Sequence, residues 1–150
     1  SGPHQLLGSR LLLVLAPLAA RRGLIATYET GLYRPGTEVD YRVPDLVFTR
    51  PEQRTQRGAD GAELVVEIRS PGDESYAKLE WYAGFGVAEM LVVDPATMAV
   101  ELFRGAGAGA VPVPADAGGG VTSEVLDATV ARTGQALQVA WDGGGAEITT

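Results

Sequence analysis

The chain has no cysteine, one histidine and one lysine in 150 residues. Without cysteine there are no disulfides and no thiolate metal sites, and the redox compartment is left open. A single histidine argues against a histidine-rich zinc site. Long hydrophobic runs are also missing. The longest, Leu11 to Ala20, is flanked by Arg10, Arg21 and Arg22 and is too short to span a bilayer as a helix. It has the length of a signal-peptide core, but Leu7, Leu11, Val14 and Leu18 recur at helical spacing and point to an amphipathic core helix. No membrane partner is expected, and the expected location is cytoplasmic.

Net charge is −7, with 45% hydrophobic and 21% charged residues. These are the proportions of a globular domain, and 150 residues are read as one domain. A strongly acidic balance argues against a general nucleic-acid binder. The charge is uneven, however. Residues 1–75 carry 9 basic and 10 acidic groups, a balance of −1, whereas residues 76–150 carry 3 and 9, a balance of −6.

The pattern along the chain predicts a helix from Gln5 to Arg22, loosened at Pro17 and ended by Gly23. Strands follow at Leu24 to Thr30 and Val39 to Thr49, the second with an edge position or bulge at Pro44. Pro51 to Gly61 reads as a loop closing a hairpin, and Leu64 to Arg69 as a central strand. The run Ser70-Pro71-Gly72-Asp73 breaks that strand, and a helix capped by Ser75 extends to about Ala83. Val87 to Asp94 and Met98 to Arg104 form a further hairpin. The Gly, Ala and Pro stretch 105–120 reads as a mobile low-complexity loop, residues 121–141 as strand or helix, and the tail 142–150 as frayed. The fold class is α/β or α+β.

What is present is more pointed. Of 12 basic residues 11 are arginine, so the lone Lys78 stands where a compact ammonium serves better than a guanidinium. It follows two acids in strand-like runs, Asp45 in Val-Pro-Asp45-Leu-Val-Phe and Glu67 in Leu-Val-Val-Glu67-Ile-Arg. If those strands pair, the carboxylates lie side by side and repel unless a cation or proton separates them. Mg²⁺ takes one or two protein carboxylates plus waters, and the Ile68 carbonyl is a plausible third protein ligand. Lys78 faces the sheet if its helix packs with Ala77, Lys78, Trp81 and Tyr82 inward. There it would orient or deprotonate a water or neutralise developing charge. The plainer readings are a Glu67–Arg69 surface ion pair and a Glu74–Lys78 helix pair.

The arrangement Pro44-Asp45, Leu64-Val-Val-Glu67-Ile-Arg-Ser70-Pro71, Lys78, Tyr82, Gly86-Val-Ala-Glu89 and Leu91-Val-Val-Asp94-Pro95 resembles the Uma family of putative restriction endonucleases. These belong to the PD-(D/E)XK nuclease superfamily. Pro3-His4 ahead of a helix is similar to that family's start, and the likeness covers residues 3–104. It implies a restriction-endonuclease-like mixed central sheet flanked by helices, a Mg²⁺ site in which Mn²⁺ substitutes, DNA as substrate and a homodimer. Asp45 and Glu67 match the motif acids, with Lys78 as a migrated motif lysine. Arg69 stands where the superfamily's lysine is usual. It would clamp phosphate rather than move a proton. A second reading is a catalytically silent dimer of the same fold that serves as a scaffold. His4 is read as a disordered or capping residue, Glu29 as a further acid, and Trp81 and Tyr82 as helix core. Glu89 is read as a structural or rim residue, and Arg50, Arg54 and Arg57 as a solvated loop.

Overall fold

The structure, a computed structural model, describes residues 2–70, 72, 74–107 and 109–150. Helix α1 spans Gly2–Arg21, carries Pro17 within it and ends where Gly23 adopts φ 75°, a left-handed conformation that glycine accepts without strain. Strand β1 (Ile25–Tyr28) follows, then the short pair β2 (Leu32–Tyr33) and β3 (Tyr41–Arg42), and then β4 (Leu46–Thr49). After one 3₁₀ turn come β5 (Leu64–Ile68), helix α2 (Ser75–Phe85), β6 (Glu89–Val93), β7 (Val100–Ala106) and β8 (Gly109–Pro112). The chain ends in a meander of β9 (Val121–Ser123), β10 (Ala128–Thr133), β11 (Ala136–Trp141) and β12 (Gly144–Ile148).

The central sheet has the order β1-β4-β5-β6-β7-β8, and only β5 and β6 run parallel. Parallel neighbours need a crossover, and α2 supplies it. Strand alternation splits β5. Leu64, Val66 and Ile68 pack with the buried leucines of α1, whereas Val65 packs with Leu79, Tyr82 and Ala83 of α2. The second sheet, β12-β11-β10-β9, lies on the α1 side and adds Val121, Val130, Leu137, Val139 and Ile148 to that core. The mixed central sheet with helices on its two faces is the expected fold class. Among the described residues no helix is long and apolar enough to cross a membrane.

Three expectations change and one open alternative is resolved. The single strand over residues 39–49 is two, β3 and β4, in different sheets, with Pro44 in the gap. Proline supplies no N–H, so it cannot complete the ladder across that gap. The loop assigned to residues 105–120 is strand as far as Pro112, because β7 continues to Ala106 and β8 pairs back on it from Gly109. Gly105 is required within that strand. A Cβ there would lie 2.3 Å from the Val87 carbonyl oxygen. The tail is not frayed, since Gly144–Ile148 pairs with β11 through five register partners. Finally, residues 121–141 are strand wherever they are regular, and their period of two is visible in the alternate burial of Ala128 and Val130. Pro71 and Asp73, expected to break β5, and Ala108 lie outside the described residues.

Candidate active site

The carboxyl end of β5 gathers the candidate residues. Leu46 lies opposite Val66 and Val47 opposite Val65, and Asp45, one residue before β4, reaches the end of β5 just beyond that paired register. Asp45 Oδ2 accepts a 2.7 Å hydrogen bond from the Ile68 N–H, so its side chain takes over from the ladder that Pro44 ends. The other oxygen, Oδ1, lies 3.5 Å from His4 Nε2. His4 Nε2 is also 2.9 Å from the Ile68 carbonyl oxygen, placed there by the first turn of α1. With a proton on Nε2, the ring donates to that carbonyl.

Glu67 is 4% exposed. The Tyr82 hydroxyl donates to its Oε1, and Lys78 Nζ lies 3.9 Å from its Oε2. Tyr82 is fully buried in the α2 core. Burial, followed by the Glu67 charge and hydrogen bond and by the nearby Asp45 charge, raises its phenol above the usual tyrosine range, opposed by Arg42. The Tyr82 proton therefore stays on oxygen at neutral pH, and the group serves as a fixed donor to Glu67. Both acidic charges raise the same phenol.

The inward face of α2 differs from the one expected. Ser75, Leu79, Tyr82 and Ala83 are buried and Ala77 is exposed, with Lys78 and Trp81 half-buried on the flank. Lys78 therefore reaches Glu67 from the side of the helix. Its backbone N–H continues the helix to the Glu74 carbonyl, at 3.2 Å. Arg69 lies 4.0 Å from Asp94 and 4.8 Å above the Tyr76 ring. The contact with Asp94 joins the end of β5 to the end of β6.

The ligating groups admit a hard divalent ion. Asp45 and Glu67 offer carboxylate oxygens and Ile68 a carbonyl oxygen, the hard donors such an ion prefers, and His4 Nε2 lies 2.9 Å from the carbonyl and 3.5 Å from Asp45 Oδ1. A carbonyl has two lone pairs, so Ile68 can accept from His4 and still face an ion. Among the described residues no three His, Cys, Asp or Glu side chains converge tightly enough to hold a metal by themselves. An ion held by Asp45, Glu67 and the Ile68 carbonyl would need water to complete its shell.

His4 is the residue that sequence reasoning placed elsewhere, whereas Tyr82 is helix core as expected and in addition donates to Glu67. Tyr82 carried a signal, since a tyrosine inside an apolar helix face needs a buried partner for its hydroxyl. His4 carried little beyond its place at the start of α1. Glu29 does approach the site, and its backbone N–H donates to the Asp45 carbonyl at 3.0 Å. Glu89 is structural. It accepts from the Ser123 hydroxyl at 2.6 Å and the Glu124 N–H at 2.8 Å, tying β6 to the second sheet.

Comparison with solved structures finds the same fold in a protein described as a putative nuclease belonging to DUF820 from Anabaena variabilis ATCC 29413. The match has a TM-score of 0.65 at 16% identity and covers 84% of this chain and 74% of that one. At that identity the likeness establishes the fold alone. No curated protein matches. The profile of the Uma2 family, described as "Putative restriction endonuclease", matches residues 1–134, and the chain belongs to that family.

Proposed function

We propose that this protein is a Mg²⁺-dependent phosphodiesterase of the PD-(D/E)XK type that acts on DNA. The observation that carries the reading is the meeting of Asp45, Glu67, the Ile68 carbonyl and Lys78 at the carboxyl end of one strand, with each carboxylate already oriented by a protein donor. Membership of a family described as putative restriction endonucleases supports a nuclease. Asp45, Glu67 and Ile68 O would hold the ion, and Mn²⁺ would substitute for it. When bound, such an ion polarises a phosphoryl oxygen and acidifies a coordinated water.

The protein's own groups supply orientation and charge. The Ile68 N–H fixes Oδ2 of Asp45 and turns Oδ1 toward His4. Tyr82 fixes one oxygen of Glu67. His4 steadies the Ile68 carbonyl. Lys78, 3.9 Å from Glu67, orients the attacking water and offsets charge that develops on the phosphate. Arg69 keeps its charge throughout, because a guanidinium does not release its proton, and it acts as a clamp on the phosphate. A homodimer belongs to the same reading, checked by sedimentation over a range of concentrations.

Mn²⁺-supported hydrolysis of DNA tests this reading. Asp45→Ala and Lys78→Ala are each expected to abolish cleavage with the circular dichroism spectrum and Tm retained. Identical activity in the wild type and both variants would overturn it.

A further inference from the structure

Two unlike surfaces flank the candidate site. On the α2 side, Arg34 and Arg42 stack on Trp81 at 5.2 and 5.3 Å, and the charge of Arg42 is felt at Tyr82. On the α1 side a groove of about 670 Å³ starts at His4 and Asp45 and runs between α1 and β1. Leu12, Leu13, Tyr28 and Leu46 give it apolar walls. Leu13 is 75% exposed and Tyr28 is 67% exposed, an unusual presentation for two large apolar side chains beside a cleft.

Charge restricts what this groove can take. Its lining includes two carboxylates, Glu29 and Asp45, and neither lysine nor arginine. Binding to duplex DNA rests on phosphate neutralisation by cations, so this groove repels a run of phosphates. A nucleobase is uncharged and flat, and it stacks on exposed aromatic rings whatever its sequence. The volume falls in the range of about 300–1,000 Å³ that takes compact organic ligands, the size class of an unpaired nucleoside. Glu29 is also held at φ 50°, a strained conformation for a glutamate, by a backbone that donates to the Asp45 carbonyl. Its carboxylate can accept from an exocyclic amino group on a base.

Resting on the phosphodiesterase reading, we propose that this groove receives an unpaired base of the strand whose phosphate is held at Asp45 and Glu67. The preferred substrate is then single-stranded, frayed or looped-out DNA rather than intact duplex. Tyr28 stacks on the base, and the apolar wall of α1 excludes water from it.

Fluorescence anisotropy with a labelled single-stranded oligonucleotide and its duplex tests the proposal, with Ca²⁺ to fill the oxygen-ligand site. The single strand is expected to bind at least ~10-fold more tightly than the duplex, and Tyr28→Ala to lose ~10-fold for the single strand alone. Leu13→Gln, also on an exposed wall, should weaken the single strand in the same direction. Equal affinity for the two forms, or no change in either variant, would overturn the groove assignment. So would a Leu13→Asp variant that turns a dimer into a monomer with DNA binding unchanged, since the groove would then be a subunit interface. The two readings fail separately. Tyr28-dependent binding without Asp45-dependent hydrolysis would sink the phosphodiesterase and keep the groove. Asp45-dependent hydrolysis at equal rates on both DNA forms would do the reverse.

Discussion

Glu67 and Glu89 stand on the adjacent parallel strands β5 and β6, are 4% and 1% exposed, and lie in equally apolar runs. Their partners separate them. Glu89, at the start of β6, meets a hydroxyl and two backbone N–H groups of the second sheet, from Ser123, Glu124 and Val125. Glu67, near the end of β5, meets a phenol and an ammonium carried by the crossover helix. Ligands of open α/β sheets bind beyond the carboxyl ends of parallel strands, and that is the end where Glu67 lies. Burial of a carboxylate is therefore no mark of function in this fold. Nor is a nearby cation, since Arg104 lies 3.9 Å from Glu89 just as Lys78 lies 3.9 Å from Glu67; what distinguishes Glu67 is its end of the strand and the buried phenol that orients it.

The sharpest way to break this contrast is to remove the charge at each position. Glu67→Gln is expected to lower Mn²⁺-supported DNA cleavage by ~10²-fold or more with little change in Tm, read from initial rates and thermal melts. Glu89→Ala is expected to do the opposite. It strands the Ser123 hydroxyl and two N–H groups, so stability should fall by about 3 kcal/mol, measured as a shift in denaturant midpoint at unchanged m-value. Cleavage per folded molecule should stay near wild type.

Smaller effects fall on the groups that hold the acids in place. Tyr82→Phe removes the donor to Glu67 and is expected to weaken Mn²⁺ binding by ~10-fold, read by calorimetry. The same variant has a pH signature. The folded pKa of Tyr82 is raised above the 10.0 of an ordinary tyrosine, so the folded state holds its proton more tightly than the unfolded state. That contribution is complete below about pH 10 and is lost as pH rises beyond it. Wild type should therefore lose stability above pH 10 more steeply than Tyr82→Phe, in denaturant melts across that range. Tyr76, raised chiefly by its hydrogen bond to Glu101, leaves a residual slope in both proteins. The smallest effect is expected at His4. His4→Ala should raise the Mn²⁺ dissociation constant a few-fold by loosening the Ile68 carbonyl.

Much of the fold and the heart of the site could be read from local pattern. Leu64-Val-Val-Glu67-Ile is short, β-branched and bounded by breakers, and it is the central strand. Lys78, the one lysine of the chain, does lie beside Glu67. The misreadings have a common cause in non-local partners. Gly144–Ile148 has no apolar period of its own and is ordered by pairing with β11, and residues 109–112 are strand because β7 offers an edge. His4 joins the site across 64 residues of sequence, through a backbone carbonyl that has no side-chain signature. The split between β3 and β4 was signalled by Pro44, but one proline does not say into which sheets the halves will go.

The central claim is that Glu67 and Asp45 form a metal centre and that Glu89 does not. Calorimetric titration of Mn²⁺ into the wild type, Glu67→Gln and Glu89→Gln tests it most directly, at a temperature where all three are folded. The account predicts one binding site in the wild type, lost in Glu67→Gln and kept in Glu89→Gln. Binding that persists in Glu67→Gln, or is absent from the wild type, would contradict it.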